Sequence, residues 1–204
     1  MNLVNRAKNV IMTPKTEWAV IAAEEPNANS VFMGYALPFI VLDAVATFIG
    51  HALIWGAGHY GGDFAMKWGL YFALMGAVGG ILGVWLTAFV VNALAPNFGS
   101  EKNMGRAMQL VVYAYTPMWV GGLLGIIPML GWLGMLFGIY GLYLMFLGLP
   151  LTMKTPADKV ITYLVITIIA LIVIYFIVGA IFASIFLGIF GLGLASTAGW
   201  RMGM

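Results

Sequence analysis

Asp43, Thr47 and His51 follow one another at four-residue steps. On a helix that spacing stacks a carboxylate, a hydroxyl and an imidazole on one face. Such a stripe could relay a proton or hold a cation for a moment. His59 and Asp63 lie a little further along and could meet His51 near one end, although the same spacing arises in any polar loop. Metal sites need a defined ligand number and geometry, so no metal is assigned. Signatures of hydrolysis and phosphoryl transfer are missing: the chain holds no HExxH, no GxSxG, no P-loop and no cysteine. No catalytic residue and no cofactor is expected, and the chain reads as non-enzymatic.

The elements that must position this stripe follow from composition. Of 204 residues, 63% are hydrophobic and 8% charged. Soluble domains carry roughly 25% charged residues, and a soluble domain of this size could not hide so much apolar surface. Charges sit in short clusters, and the apolar runs between them are long enough to cross a bilayer as helices. The fold class is therefore an all-α integral membrane protein. Five transmembrane helices are expected at about Val31–Trp55, Trp68–Ala95, Met108–Ile127, Leu130–Leu151 and Val160–Phe190. The third and fourth come from one uncharged tract, which splits at Ile127-Pro128-Met129-Leu130-Gly131 because proline disfavours helix before it. In domain terms this gives a cytoplasmic or interfacial amphipathic segment (1–30), a membrane domain (31–190) and a short external tail (191–204).

Charge sets the expected orientation. With five spans, Arg6, Lys8, Lys15, Lys102, Arg106, Lys154 and Lys159 share one side, and only Lys67 and Arg201 the other. The positive-inside rule then makes the N-terminus cytoplasmic and the C-terminus external. No cleavable signal peptide is expected, since the N-terminus lacks a continuous apolar core. The loops are too short to hold a separate soluble domain.

The first thirty residues carry a pattern of their own. Leu3, Val4, Ala7, Val10 and Ile11 recur at helical spacing among polar and basic residues. This suits a short basic helix on an anionic leaflet. Thr13-Pro14 starts a second helix as cap and first-turn proline. Arg6, Lys8, Lys15 and Trp18 are the expected membrane-surface contacts. The alternative is a helix packed on the protein's own cytoplasmic loops.

Asp43 lies about 18 Å along its span from either end. Its insertion costs roughly 2.5–3.5 kcal/mol. Twelve Leu, Ile, Val and Phe residues in Val31–Trp55 offset this by roughly 4–7 kcal/mol. No Lys or Arg falls inside any of the five spans, so a buried strong cation cannot neutralise Asp43. Burial then favours the neutral acid. Span centres place Tyr113, Thr116, Pro117 and Tyr140 at similar depth, and Pro117 frees the Tyr113 carbonyl from its usual helical donor. Asp43 is expected to turn inward toward this group, either fixing the packing of the first helix or exchanging its proton along a pathway.

Glycines recur at small-xxx-small spacing: Gly76 with Gly80, Gly79 with Gly83, Gly134 with Gly138, and Gly179 with Ala183. Such pairs let helices approach closely in lipid, and packing within one chain is the expectation.

Three stretches carry a resemblance. RAKNVIMTPKTEWAVIAAEEPN, then GYALPF, then VVYAYTPMWVGGLLGIIPMLGWLGMLFGIYGLYLMFLGLPLTMKTPADKVITYLVI are together similar to the Yip-one (Ypt/Rab-interacting protein) family, most nearly its bacterial branch. The resemblance implies a five-span fold with a cytoplasmic N-terminus and no known catalytic chemistry. Eukaryotic relatives act in vesicle trafficking and bind Rab-type GTPases, but the Asp-Leu-Tyr-Gly-Pro signature of those relatives is missing here. GTPase binding is therefore not carried over. The expected partners are the lipid bilayer and a second copy or other membrane proteins, with no nucleic acid. The expected function is a membrane scaffold or organiser; the alternative is a small proton or cation transporter using Asp43.

Overall fold

The structure, a computed structural model, describes residues 2–56, 58 and 61–199. Every regular element among them is helical. Residues up to Leu164 form one compact unit and residues from Val165 a second.

Two short helices open the chain, α1 (Leu3–Met12) and α2 (Pro14–Ala23). Asn2 caps the first, its side-chain oxygen accepting from the Val4 amide at 3.0 Å. Thr13 stands at the cap position of α2 but makes no capping bond. Its hydroxyl donates back to the Asn9 carbonyl at 3.1 Å and closes the end of α1.

The first long apolar helix, α3, runs over Ala28–Gly56, three residues earlier than hydropathy alone suggests. Asn27 begins it by accepting from the Ser30 amide at 2.9 Å. Two stretches of α3 widen into π-helix, Phe32–Ala36 and Ile49–Gly56. Pro38 explains the first. It has no amide to give the Gly34 carbonyl and would crowd it, so the turn before it opens and the Leu37 amide bonds Phe32 instead.

Helix α4 (Gly62–Leu94) starts after Gly61, whose φ of 78° suits glycine. Its first turns expose a stack of Phe64, Trp68 and Tyr71, with successive rings 5.8 and 6.0 Å apart. The third apolar tract is split by Pro117 into α5 (Met104–Ala114) and α6 (Thr116–Gly122). A 3-10 turn carries it to Ile126, and extended Ile127 precedes Pro128 as the sequence predicts. Helix α7 (Leu133–Thr152) returns, and α8 runs over Val160–Gly199. Residues 191–199 of the expected tail thus continue the helix, while 200–204 lie outside the described residues.

By length and composition four helical stretches suit membrane crossing: Ala28–Gly56, Gly62–Phe98, Met104–Ile126 and Val160–Ala180. A shorter apolar helix, Leu136–Thr152, accompanies them. The core centres on α5, where every residue from Ala107 to Ala114 is buried. Close approach depends on glycines other than the paired ones. A Cβ at Gly69 would strike Ala52, one at Gly121 the Phe137 ring, one at Gly141 the Ala114 carbonyl, and one at Gly148 Leu110 and Trp18. At Gly76, Gly79, Gly134, Gly138 and Gly179 a Cβ would meet open space, so packing within the chain uses only Gly80, against Ile40, and buried Gly83 from the spaced pairs.

Candidate functional site

A seam between α3 and the third tract holds most of the expected polar residues, in a register of its own. Tyr35 begins it. Its hydroxyl pairs with that of Thr116 at 3.0 Å, and its ring meets Tyr113 edge-on with centroids 4.8 Å apart. One turn on, Phe39 stacks on Trp119 at 5.8 Å and 10°. The next turn brings Asp43 against Gly122, where a Cβ would overlap the carboxylate. Thr47 Oγ1 then lies 3.8 Å from where Gly125 would carry a Cβ, and Gly50 rests on the carbonyls of Gly125 and Ile126.

This register corrects the expected grouping of Asp43 with Tyr113, Thr116, Pro117 and Tyr140. Asp43 sits beside Gly122, and among the described residues no hydrogen bond or ion pair forms on its side chain. Tyr113 and Thr116 gather below it around Tyr35, and Pro117 is buried next to Thr116 in the first turn of α6. Tyr140 turns elsewhere, its hydroxyl donating to the Ile11 carbonyl of α1 at 2.7 Å. The physical reason lies at the helix starts. Gly105, in the first turn of α5, is pressed against the Pro26 carbonyl, below the first residue of α3. The first turns of α5 are therefore enclosed by the N-terminal segment. Hydropathy cannot tell burial in protein from burial in lipid, so the span centre was placed too low.

His51 leaves the stripe as well. Its Nδ1 donates to the Thr47 carbonyl at 3.0 Å and its ring packs 4.7 Å from Phe72. Asp63 is exposed in the first turn of α4, where a carboxylate suits the helix dipole. Among the described residues no group of three metal-ligating side chains forms, and His59 lies outside them.

The N-terminal helices supply the second correction. Lys8 and Lys15 are exposed, but Arg6 and Trp18 are not membrane-surface residues. Trp18 is 1% exposed, edge-on to Tyr113 at 6.5 Å and pressed against Gly148. Arg6, 6% exposed, donates to Glu17 at 2.6 Å and to Glu24, with its guanidinium 5.4 Å from the Tyr113 ring centre. Two carboxylates within one fold of chain offset the cost of burying this cation. With that charge satisfied, α1 and α2 close onto the bundle end, where Ala7, Val10, Trp18 and Ile21 meet protein while Val4 stays exposed.

A cavity of about 300 Å³ remains beneath this closure, between α1, the 24–27 loop, the start of α3 and α5. Gln109 lines it and is 0% exposed. Its Oε1 accepts from Arg106 Nη1 at 3.1 Å, and the same Nη1 donates to the Glu24 carbonyl at 2.9 Å. Gln109 Nε2 finds no partner among the described residues.

Beside this end lie the two loops that carry the remaining basic clusters. Glu101 pairs with Lys154 at 2.6 Å, and Ser100 Oγ donates to Thr155 Oγ1 at 2.9 Å. The hydrogen bond from Lys154, with its charge, holds the Glu101 carboxyl below its ordinary range. Further along the bundle, the Tyr163 hydroxyl donates to the Val91 carbonyl and Thr87 pairs with Tyr115 at 2.8 Å.

Sequence reasoning passed over Tyr35, Glu17, Glu24 and Gln109. A signal existed for the carboxylates, since Glu17 and Glu24 are the nearest acids to Arg6 in a chain poor in charge. Nothing local marks Gln109, which looks like one polar residue at a span's edge.

No curated protein and no solved structure gives a match to this chain. The Yip1 domain family does, over residues 8–181, from within α1 into α8. That stretch takes in the helices whose packing is described above: the chain is a multi-pass membrane protein of the Yip1 domain family.

Proposed function

We propose that the protein is a non-enzymatic membrane scaffold that works through protein contacts and contact with the bilayer. One observation carries this reading: six hydroxyls of the bundle are spent on one another or on the main chain. Tyr35 bonds Thr116, Thr87 bonds Tyr115, and Tyr140 and Tyr163 bond main-chain carbonyls. Buried polar groups that hold each other fix packing, whereas a conduit needs groups left free along a path. The surfaces offered to partners are then the exposed faces, including Val4, Met12 and Val20 on α1 and α2.

The topology we propose has five crossings, a cytoplasmic N-terminus, an external C-terminus and residence in a bacterial inner membrane. The 20 residues of α7 rise about 30 Å, enough for a hydrocarbon core. The loops holding Lys102, Lys154 and Lys159 meet one another through Glu101 and Gly99, and Gly105 meets Pro26 of the N-terminal segment, which supports one positive side.

Photo-crosslinkers placed at Val4, Met12 and Val20 test the scaffold. Protein adducts at one face, lost on Met12→Glu at unchanged protein level, are expected. Lipid adducts alone at all three positions would overturn it. Deleting α1 and α2 is a poor test, because Trp18 and Arg6 belong to the core.

A second reading is favoured by Asp43, which has no side-chain hydrogen-bond partner among the described residues and lies six residues before the π-helical stretch that begins at Ile49. A proton or cation transporter would show flux in proteoliposomes that disappears with Asp43→Asn. Leak equal to that of empty vesicles would exclude it.

A further inference from the structure

We infer that the cavity between α1 and the starts of α3 and α5 binds a lipid headgroup of the phosphoethanolamine type, a primary ammonium joined to phosphoryl oxygens.

The argument starts from Gln109. Its carbonyl end is held by Arg106, so the amide nitrogen is turned the other way, in a side chain that lines the cavity. A buried amide without an acceptor costs about 1–3 kcal/mol, and a native protein keeps such a group where something fills the need. The occupant must therefore offer an acceptor oxygen. Arg6, on the same wall, adds positive potential to that end.

The opposite requirement comes from Glu24 and Glu25, which also line the cavity. Glu24 shares Arg6 with Glu17, while Glu25 is exposed and stands in no ion pair. Of the charged side chains that line the cavity, two carboxylates, Glu24 and Glu25, stand against one cation, Arg6. One negative charge is left over, and a cation completes the count. Ser30 adds a hydroxyl, which suits an ammonium with three N–H donors; a quaternary ammonium has none to give. The ring that could attract a quaternary group, Tyr113, already faces Arg6.

Position selects the source. Asn27 and Ser30 form the cap of α3, so the cavity lies at the level where an apolar helix leaves the hydrocarbon. Leu3, Val31 and Gly34 give it an apolar margin, and a Cβ at Gly34 would meet open space. A headgroup can enter there with its chains directed along the outer face of α3. At about 300 Å³ the cavity lies at the small end of the usual ligand range, suited to a headgroup and not to a whole lipid. This inference rests on membrane residence alone, and it would survive failure of the scaffold reading.

The test uses full-length protein in detergent, with native mass spectrometry of retained lipid. Short-chain phosphatidylethanolamine, phosphatidylcholine and phosphatidylglycerol are offered in equal amounts. Phosphatidylethanolamine should be retained about tenfold better than either competitor, as expected for a charge-assisted hydrogen bond. Glu25→Gln, an exposed substitution, should narrow that preference, whereas Gln109→Met, which removes the donor to the phosphoryl oxygens that all three lipids share, should lower the retention of all three, with folding checked by thermal unfolding. Free phosphoethanolamine that displaces the lipid would show that the headgroup suffices. Retention of lipid in its presence would show that the chains contribute. Equal retention of all three lipids by the wild type, a preference unchanged in Glu25→Gln, or retention unchanged in Gln109→Met would overturn the inference. Binding of free phosphoethanolamine without retention of any lipid would overturn the lipid assignment.

Discussion

Arg6 holds two carboxylates and faces an aromatic ring while almost wholly buried. Removing one member of such a group leaves charge without compensation. Arg6→Ala should destabilise the protein by about 3–5 kcal/mol, read as the loss in thermal unfolding in detergent. Adding Glu17→Ala to Arg6→Ala should restore part of it, because the stranded carboxylate is then gone. Asp43 behaves differently, since no partner is lost with its charge. Asp43→Asn should leave stability nearly unchanged, whereas Gly122→Val should cost about 1–3 kcal/mol by driving a side chain into the Asp43 carboxyl. At the surface, Lys154 keeps the Glu101 carboxyl below its ordinary value of 4.5. A lowered folded value stabilises above the unfolded one and is lost as pH falls through the folded one. The small difference between wild type and Glu101→Gln at neutral pH should therefore vanish in acid, in melts compared at the two pH values.

At the scale of elements, α7 seats the N-terminal helices. Gly148 admits Trp18, and Tyr140 receives the last turn of α1. Gly148→Leu should unseat α1 and α2 while the long helices persist, measured as faster proteolysis at Lys8 and Lys15 with unchanged helical circular dichroism. Much of this level was legible beforehand. Apolar runs located the long helices, and Pro128 located the break after Ile127, because hydrophobicity and proline act locally. The depth of α5 was not legible. Residues 110–114 of α5 are apolar although Trp18 of the N-terminal segment packs on Tyr113 there, and composition has no mark that separates a protein neighbour from lipid. For the same reason Trp18, read as an interfacial anchor, proves to be core. The spaced glycines misled in the opposite direction: Gly134 and Gly138 sit on an open face, and the glycines that allow contact, such as Gly122 and Gly148, have no spacing that announces them. Asp43 was legible as an anomaly, but its neighbour depended on a register of helices fixed far away at Gly105 and Pro26.

At the scale of the whole molecule, the basic clusters gather at the end that carries α1 and α2. The chain contains no cysteine, so single cysteines can be introduced on a clean background. Cysteines at Lys8, Lys102 and Lys159 should label from one side of intact vesicles with a membrane-impermeant maleimide, and one at Asp63 from the other. Labelling of Lys8 and Asp63 positions from the same side would contradict five crossings. The enclosure of Trp18 also orders events in time. Its resting place is made by Tyr113 on one tract and Gly148 on another, both synthesised long after it. Contacts between residues so far apart in sequence form late. The first segment to leave the ribosome is thus among the last to find its seat. Until residue 148 has emerged, Arg6 and its acids must wait in water or at a membrane surface. A chain interrupted before α7 would present α1 and α2 unfastened, a state that quality-control proteases could read as unfinished.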